Sequence, residues 1–150
     1  MLAALTEVSQ QLAQAIVRDG EGATKFIEVN VRGGVSFDDC AAVAYTIAHS
    51  PLVKTALFAS DPNWGRLLMA IGRADVSELD PNKVSVKVNK LPIVALGEPD
   101  ANYTEAKGQA VFNETELVID VEIGDSVHSK TVWTTDLSHE YVSINADYRS

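Results

Sequence analysis

Cysteine is almost absent from this 150-residue chain: Cys40 stands alone. An internal disulfide is therefore excluded, and so is a thiolate cluster of the kind that holds zinc or iron–sulfur. Basic residues are scarce as well, with 12 Lys and Arg against 21 Asp and Glu, a formal net charge of −9. Phosphate backbones are bound by clustered cations, so nucleic acid is not an expected partner. No apolar run approaches the roughly 20 residues that a membrane-spanning helix needs, so no membrane is expected either. Met1 is not followed by a basic and then an apolar segment, which argues against a secretory leader. The three histidines, His49, His128 and His139, are not spaced as metal ligands.

Apolar residues, by contrast, make up 46% of the chain. That is enough to bury a core and is incompatible with disorder. The length suits one ordinary domain, residues 1–150. Together these features predict a soluble, acidic, cytoplasmic domain.

Leu5, Val8, Leu12 and Ile16 recur at helical spacing and predict a helix from about Ala3 to Arg18, ended by Asp19-Gly20. Phe26 to Arg32 alternates as a strand and is closed by Gly33-Gly34. Ser36 caps a second helix that ends near His49-Ser50-Pro51, and a third runs from Pro51 to Phe58. Trp64 to Arg73 is a short helical piece. Beyond it the pattern changes. Val84 to Val88 and Ile93 to Leu96 read as a hairpin around Asn89-Lys90. Leu117 to Ile123 alternates, and Gly124-Asp125 is a two-residue hairpin signal leading to a returning strand, Val127 to Thr134. Tyr141 to Ala146 reads as a last strand. The expected fold is α+β: a mixed or antiparallel sheet with helices packed on one face, helix-rich first and strand-rich later. Two small lobes dividing near Asp80-Pro81-Asn82 are an alternative arrangement.

Three segments stand out chemically. In Asp19-Gly20-Glu21-Gly22-Ala23-Thr24-Lys25, two glycines bracket a carboxylate. The Gly-Lys-Ser/Thr of a phosphate loop is missing and Glu21 would repel an anion, so this loop suits an ammonium group. The plainer reading is a helix-ending turn with a solvated Glu. In Asp61-Pro62-Asn63-Trp64-Gly65-Arg66, Arg66 suits a carboxylate, whether of a ligand or of a nearby acidic side chain. The chain end, Asn145 to Ser150, is rich in polar groups, which is equally the composition of a frayed terminus. Cys40, on an alanine-rich helix, reads as a packed thiol. No complete set of nucleophile, base and oxyanion donors is visible.

The runs Ile16 to Phe26, Ser60 to Arg66 and His139 to Tyr148 together resemble ornithine acetyltransferase, the glutamate N-acetyltransferase of the cyclic arginine pathway. The resemblance covers nearly the whole chain, in order. It implies an enzyme precursor that cuts itself before a threonine into an α and a β chain. The new N-terminal Thr takes the acetyl group from N-acetylornithine and passes it to glutamate. It further implies an oxyanion hole built in the α chain, an α2β2 assembly, no cofactor, and acetyl-CoA as an acetyl donor in some members. Met1-Leu2 echoes the Thr-Met-Leu opening of the family's β chain, but the nucleophilic Thr and the stretch after it are absent here. By this resemblance the chain corresponds to the C-terminal part of the β chain, carries no catalytic residue of its own and is inactive alone. Three substrate contacts carry over: Glu21, Asn145 and Ser150, the last standing where the family usually ends in threonine. The competing reading is a stand-alone structural or binding module. Exposed apolar surface is the feature that separates the two.

Overall fold

A computed structural model describes residues 2–147. It holds six α-helices and one six-stranded sheet. Helix α1 (Leu2–Arg18) leads into strand β1 (Phe26–Arg32). Helices α2 (Phe37–Ala48), α3 (Pro51–Phe58) and α4 (Trp64–Gly72) follow. A single 3-10 turn, Pro81–Lys83, then opens the strand-rich half. There β2 (Ser85–Val88), β3 (Leu91–Ala95) and the short β4 (Glu98–Pro99) precede helix α5 (Glu105–Phe112). Strands β5 (Glu116–Glu122) and β6 (Ser129–Thr135) come next, and helix α6 (His139–Asp147) is last.

Local chemistry accounts for most boundaries. Ser36 and Asp39 form a reciprocal capping box at the start of α2, and Ser50 caps α3 with Pro51 in its first turn. Asn63 caps α4 and Thr104 caps α5. The β2–β3 hairpin turns through Asn89 and Lys90, both in the left-handed region (φ 45° and 70°) that a tight two-residue turn requires.

The strand order is β4-β3-β2-β5-β1-β6. β1 therefore lies inside the sheet, parallel to β5 on one side and antiparallel to β6 on the other. Ile27, Val29 and Val31 of β1 and Leu117, Ile119 and Val121 of β5 share one face and are fully buried. Helices α2 to α5 cover that face and contribute Val43, Ile47, Leu57, Ile71 and Phe112 to the same core. The opposite face is polar: Glu28 accepts a bond from the Trp133 indole N–H (2.9 Å), and Asn30 donates to Asp120 (3.1 Å). Strands from both sides of Asp80 share this sheet, and buried residues from both halves form one core.

The structure overturns two expectations from the sequence and adds two features that the sequence left open. Gly124-Asp125 does not make a hairpin. The chain leaves β5, crosses the end of β1 and pairs with β1's far edge. The Ile123 N–H bonds to the Arg32 carbonyl (2.9 Å), the Gly33 N–H bonds to the His128 carbonyl (3.0 Å), and β1 is enclosed between the two strands. Tyr141 to Ala146 is helical, not a strand. Ser138 caps it by accepting from the Tyr141 N–H (3.1 Å), so the alternation of Val142 and Ile144 is incidental to a helix that satisfies its own backbone. Helix α5 carries too weak an amphipathic pattern to be read from sequence. Finally, the apolar stripe of α1 meets no core: Leu5, Val8, Leu12 and Ile16 are 64%, 51%, 61% and 74% exposed.

Candidate functional site

The loop between α1 and β1 is shaped by its glycines. Ala23 N–H bonds back to the Gly20 carbonyl (3.0 Å), and Gly22 sits at φ +66°, where a side chain is strained. A Cβ on Gly22 would also lie 2.6 Å from the backbone nitrogen of Tyr141. This close approach seats the loop against the first turn of α6. Asn145, nearly two turns along α6, then reaches back to the loop. Its Nδ2 donates to Oε2 of Glu21 (3.1 Å) and to the Tyr141 carbonyl (2.9 Å).

Two of the three residues that the sequence singled out, Glu21 and Asn145, are thus in contact although 124 positions apart. Both are exposed. The third, Ser150, lies outside the described residues.

Beneath the loop is a buried polar cluster that sequence reasoning missed. Asp136 is 3% exposed and directly follows β6. One of its carboxylate oxygens accepts from the backbone N–H groups of Thr24 and Lys25 (2.9 Å each), and the other accepts from the Thr24 hydroxyl (2.5 Å). Lys25 is 7% exposed. Its ammonium donates to the Ser60 hydroxyl (2.8 Å) and to the carbonyl of Phe112, the last residue of α5. A cation at a helix C-terminus is electrostatically favoured. Burial nevertheless pushes the Lys25 ammonium below its ordinary value, and the Asp136 charge only partly opposes this. Lys54, bonded to the Thr134 hydroxyl (3.1 Å), is lowered for the same reasons. The available signal for Lys25 was its place at the start of a buried strand. Asp136 offered none, because its importance depends on the pairing of β6 with β1.

Among the described residues, Arg66 pairs with no acidic side chain. Its guanidinium donates to the Leu52 carbonyl (2.8 Å) and the Thr55 hydroxyl (3.3 Å), fastening α4 to α3. In the Asp61-to-Arg66 segment, Asn63 caps α4, and Asp61 accepts from the Asn63 amide (3.0 Å). Ser60, in the left-handed region at φ 54°, presents its hydroxyl to Lys25. Cys40 is fully buried, and its thiol faces the His128 carbonyl (3.4 Å).

A cleft of about 210 Å³ opens beside the loop, between Arg18, Thr24, Phe26 and Glu116. Arg18 lies over the Phe26 ring (3.8 Å) and pairs with Glu116 (2.6 Å), which holds that carboxyl below its ordinary range. A larger cleft of about 370 Å³ lies at the opposite end of β1, around Gly33, Lys83 and Asp125. Its Lys83 is already paired with Asp125 (2.9 Å), and both side chains are mostly solvated. The glycine loop is therefore the stronger candidate: it joins a carboxylate and an amide from distant parts of the chain over a buried support. Among the described residues no three His, Cys, Asp or Glu side chains gather as metal ligands would.

Comparison with known proteins gives a consistent result. The ArgJ family model matches residues 1–150. The chain is 57% identical to the arginine biosynthesis bifunctional protein ArgJ of Pseudomonas fluorescens strain Pf0-1, over 98% of its own length and 36% of that protein. It is 55% identical, with the same coverage, to the protein of that name from Pseudomonas syringae pathovar tomato strain DC3000. The chain thus spans about a third of the length of the curated relatives it matches. A solved structure, that of arginine biosynthesis bifunctional protein argJ from Bacillus halodurans, superposes with a TM-score of 0.91 at 35% identity. That match covers 97% of this chain and 68% of the other.

Proposed function

The chain belongs to the ArgJ family, and from that premise we propose that it is part of an N-acetyltransferase of arginine biosynthesis whose substrate contacts it supplies. The reaction moves the acetyl group of N-acetylornithine to glutamate, with acetyl-CoA a further candidate donor. The attacking hydroxyl is the N-terminal Thr of the family's β chain, which these residues do not include. The α chain contributes the oxyanion donors, and the two associate as α2β2 in the cytoplasm.

The observation that carries this reading is the contact between Glu21 and Asn145. The α-amine of glutamate must stay free to attack the acetyl group, whereas the side-chain ammonium of N-acetylornithine takes no part in the transfer. Asn145 engages Oε2 of Glu21, which leaves Oε1 to receive that ammonium. Because the Asn145 bond uses an amide N–H, the amide oxygen is free to accept from the ligand. A charge-assisted contact of this kind is roughly twice as strong as a neutral one, and it fixes the substrate's direction relative to the nucleophile. The Ser150 hydroxyl is a third contact in this proposal.

The bare apolar stripe of α1 favours an enzyme portion over a self-sufficient module, since a monomer rarely leaves such a face uncovered. The test is acetyl transfer from N-acetylornithine to glutamate, measured with this chain alone and with the chain co-expressed beside the rest of a family member. Transfer only on co-expression is expected. Transfer by the chain alone would place a nucleophile within it and overturn the assignment. A binding module with no part in catalysis would leave the co-expressed pair inactive.

A further inference from the structure

Glu21 and Asn145 are exposed, and α6 buries none of its side chains, so packing does not fix their separation. Resting on the reading that these two residues receive the substrate, we propose that Asp136 and Ser138 are positioning residues that set the Glu21–Asn145 geometry.

The antiparallel pairing of β1 with β6 puts Phe26 opposite Thr135, so the next residue of β6, Asp136, necessarily lies beside Lys25 and the end of the Glu21 loop. There its carboxylate collects three donors from that loop: the N–H groups of Thr24 and Lys25 and the Thr24 hydroxyl. Two residues on, Ser138 is 5% exposed and faces both ways. Its hydroxyl donates to the Gly22 carbonyl (2.6 Å), next to Glu21, and accepts from the N–H of Tyr141 in the first turn of α6. One three-residue segment therefore holds the loop that carries Glu21 and the helix that carries Asn145.

The segment is itself anchored. The Leu137 N–H bonds to the Lys54 carbonyl of α3 (3.2 Å), and the Phe58 and His139 rings meet edge to face at 5.6 Å. Buried bonds of this kind are costly to break because each leaves an unsatisfied group, whereas the exposed Glu21–Asn145 bond exchanges readily with water. The buried bonds therefore determine the geometry, and the exposed one reports it.

Both residues are almost wholly buried, so both act through Glu21 and Asn145. The test uses the complete enzyme assembled with this chain and compares Ser138→Ala, Ser138→Thr and Asp136→Asn, each in a native and in a Glu21→Gln background. Ser138→Ala is expected to raise KM for N-acetylornithine about tenfold, with kcat within about twofold and the main unfolding transition retained. Ser138→Thr, which keeps the hydroxyl, is expected to restore the native KM. In the Glu21→Gln background Ser138→Ala is expected to cost little more. Asp136→Asn should follow the same pattern; should it not fold, the Ser138 pair decides. A native KM for Ser138→Ala beside an impaired Glu21→Gln would overturn the positioning role alone, as would an equal loss in both backgrounds. Native kinetics for Glu21→Gln would overturn the functional reading beneath it.

Discussion

Lys25 shows how much of this site rests on a residue that is almost wholly buried. Its ammonium is spent on the Ser60 hydroxyl and the last carbonyl of α5, at the cost of a depressed pKa. The sign of the resulting pH dependence follows directly. Below the depressed folded value, both folded and unfolded chains hold the proton. Between that value and the ordinary 10.5 the unfolded chain binds more protons, so the Lys25 contribution to stability rises with pH across that window. Lys54 acts in the same sense. Tyr103, whose phenol is raised above 10.0 chiefly by burial, acts oppositely, and its contribution is lost as pH climbs past that value. From pH 7 upward the urea midpoint of the wild type should therefore rise relative to that of Lys25→Met, the variant being the flatter of the two below pH 10. Parallel curves would show that the ammonium is not desolvated as described. The flanking glycines marked Glu21 as a carboxylate on a shaped loop, but they suit a solvated turn equally well, and only the family resemblance made it a candidate contact. Asp136 was not legible, since nothing local distinguishes a buried Asp from a solvated one.

At the scale of elements, alternation located β1 and capping chemistry located α3 with the bounds the structure shows, because there the residue types agree with the final packing. The two misreadings have separate causes. Gly124-Asp125 has the local chemistry of a hairpin, yet the backbone of β1 occupies the space that a β5–β6 hairpin would close. Gly33 is the mark of that crossing: it sits at φ +88°, and a Cβ there would come within 2.0 Å of the Gly124 carbonyl oxygen. Gly33→Ala should therefore destabilise the chain by about 3 kcal/mol, read as a lowered midpoint in denaturant with unchanged slope. Wild-type stability would mean that the two backbones do not cross as closely as described. The last helix was misread for a different reason. Val142 and Ile144 are too few to define a period, and the deciding bond, from Tyr141 N–H to the Ser138 hydroxyl, is a capping interaction just outside the apolar pattern.

Across the whole molecule, the sheet divides a packed face from a polar one, and the amphipathic α1 stands apart from both. Sequence periodicity correctly identified α1 as a helix with an apolar stripe but assigned no cover to that stripe, because cover is a property of neighbours. Leu5, Leu12 and Ile16 contribute little to the isolated fold, so changing all three to Gln should alter its unfolding free energy by no more than about 0.5 kcal/mol per site. The same change should abolish binding of an apolar dye and any self-association seen by light scattering. A large loss of stability would mean that α1 packs on the domain in solution and that the exposed stripe is not an interface. Strand order was beyond the sequence, since the parallel pairing of β1 with β5 joins residues 90 positions apart, as the Arg32–Glu122 pair shows.

If Glu21 and Asn145 receive the substrate as one unit, a double-mutant cycle in the complete enzyme reads their coupling most directly. Glu21→Gln and Asn145→Ala should each lower kcat/KM for N-acetylornithine, Glu21→Gln by about ten- to a hundredfold for the loss of a charge-assisted contact. The double variant should lose clearly less than the product of the two, as residues in contact do. Native kinetics for either single variant, or losses that multiply without coupling, would contradict the account.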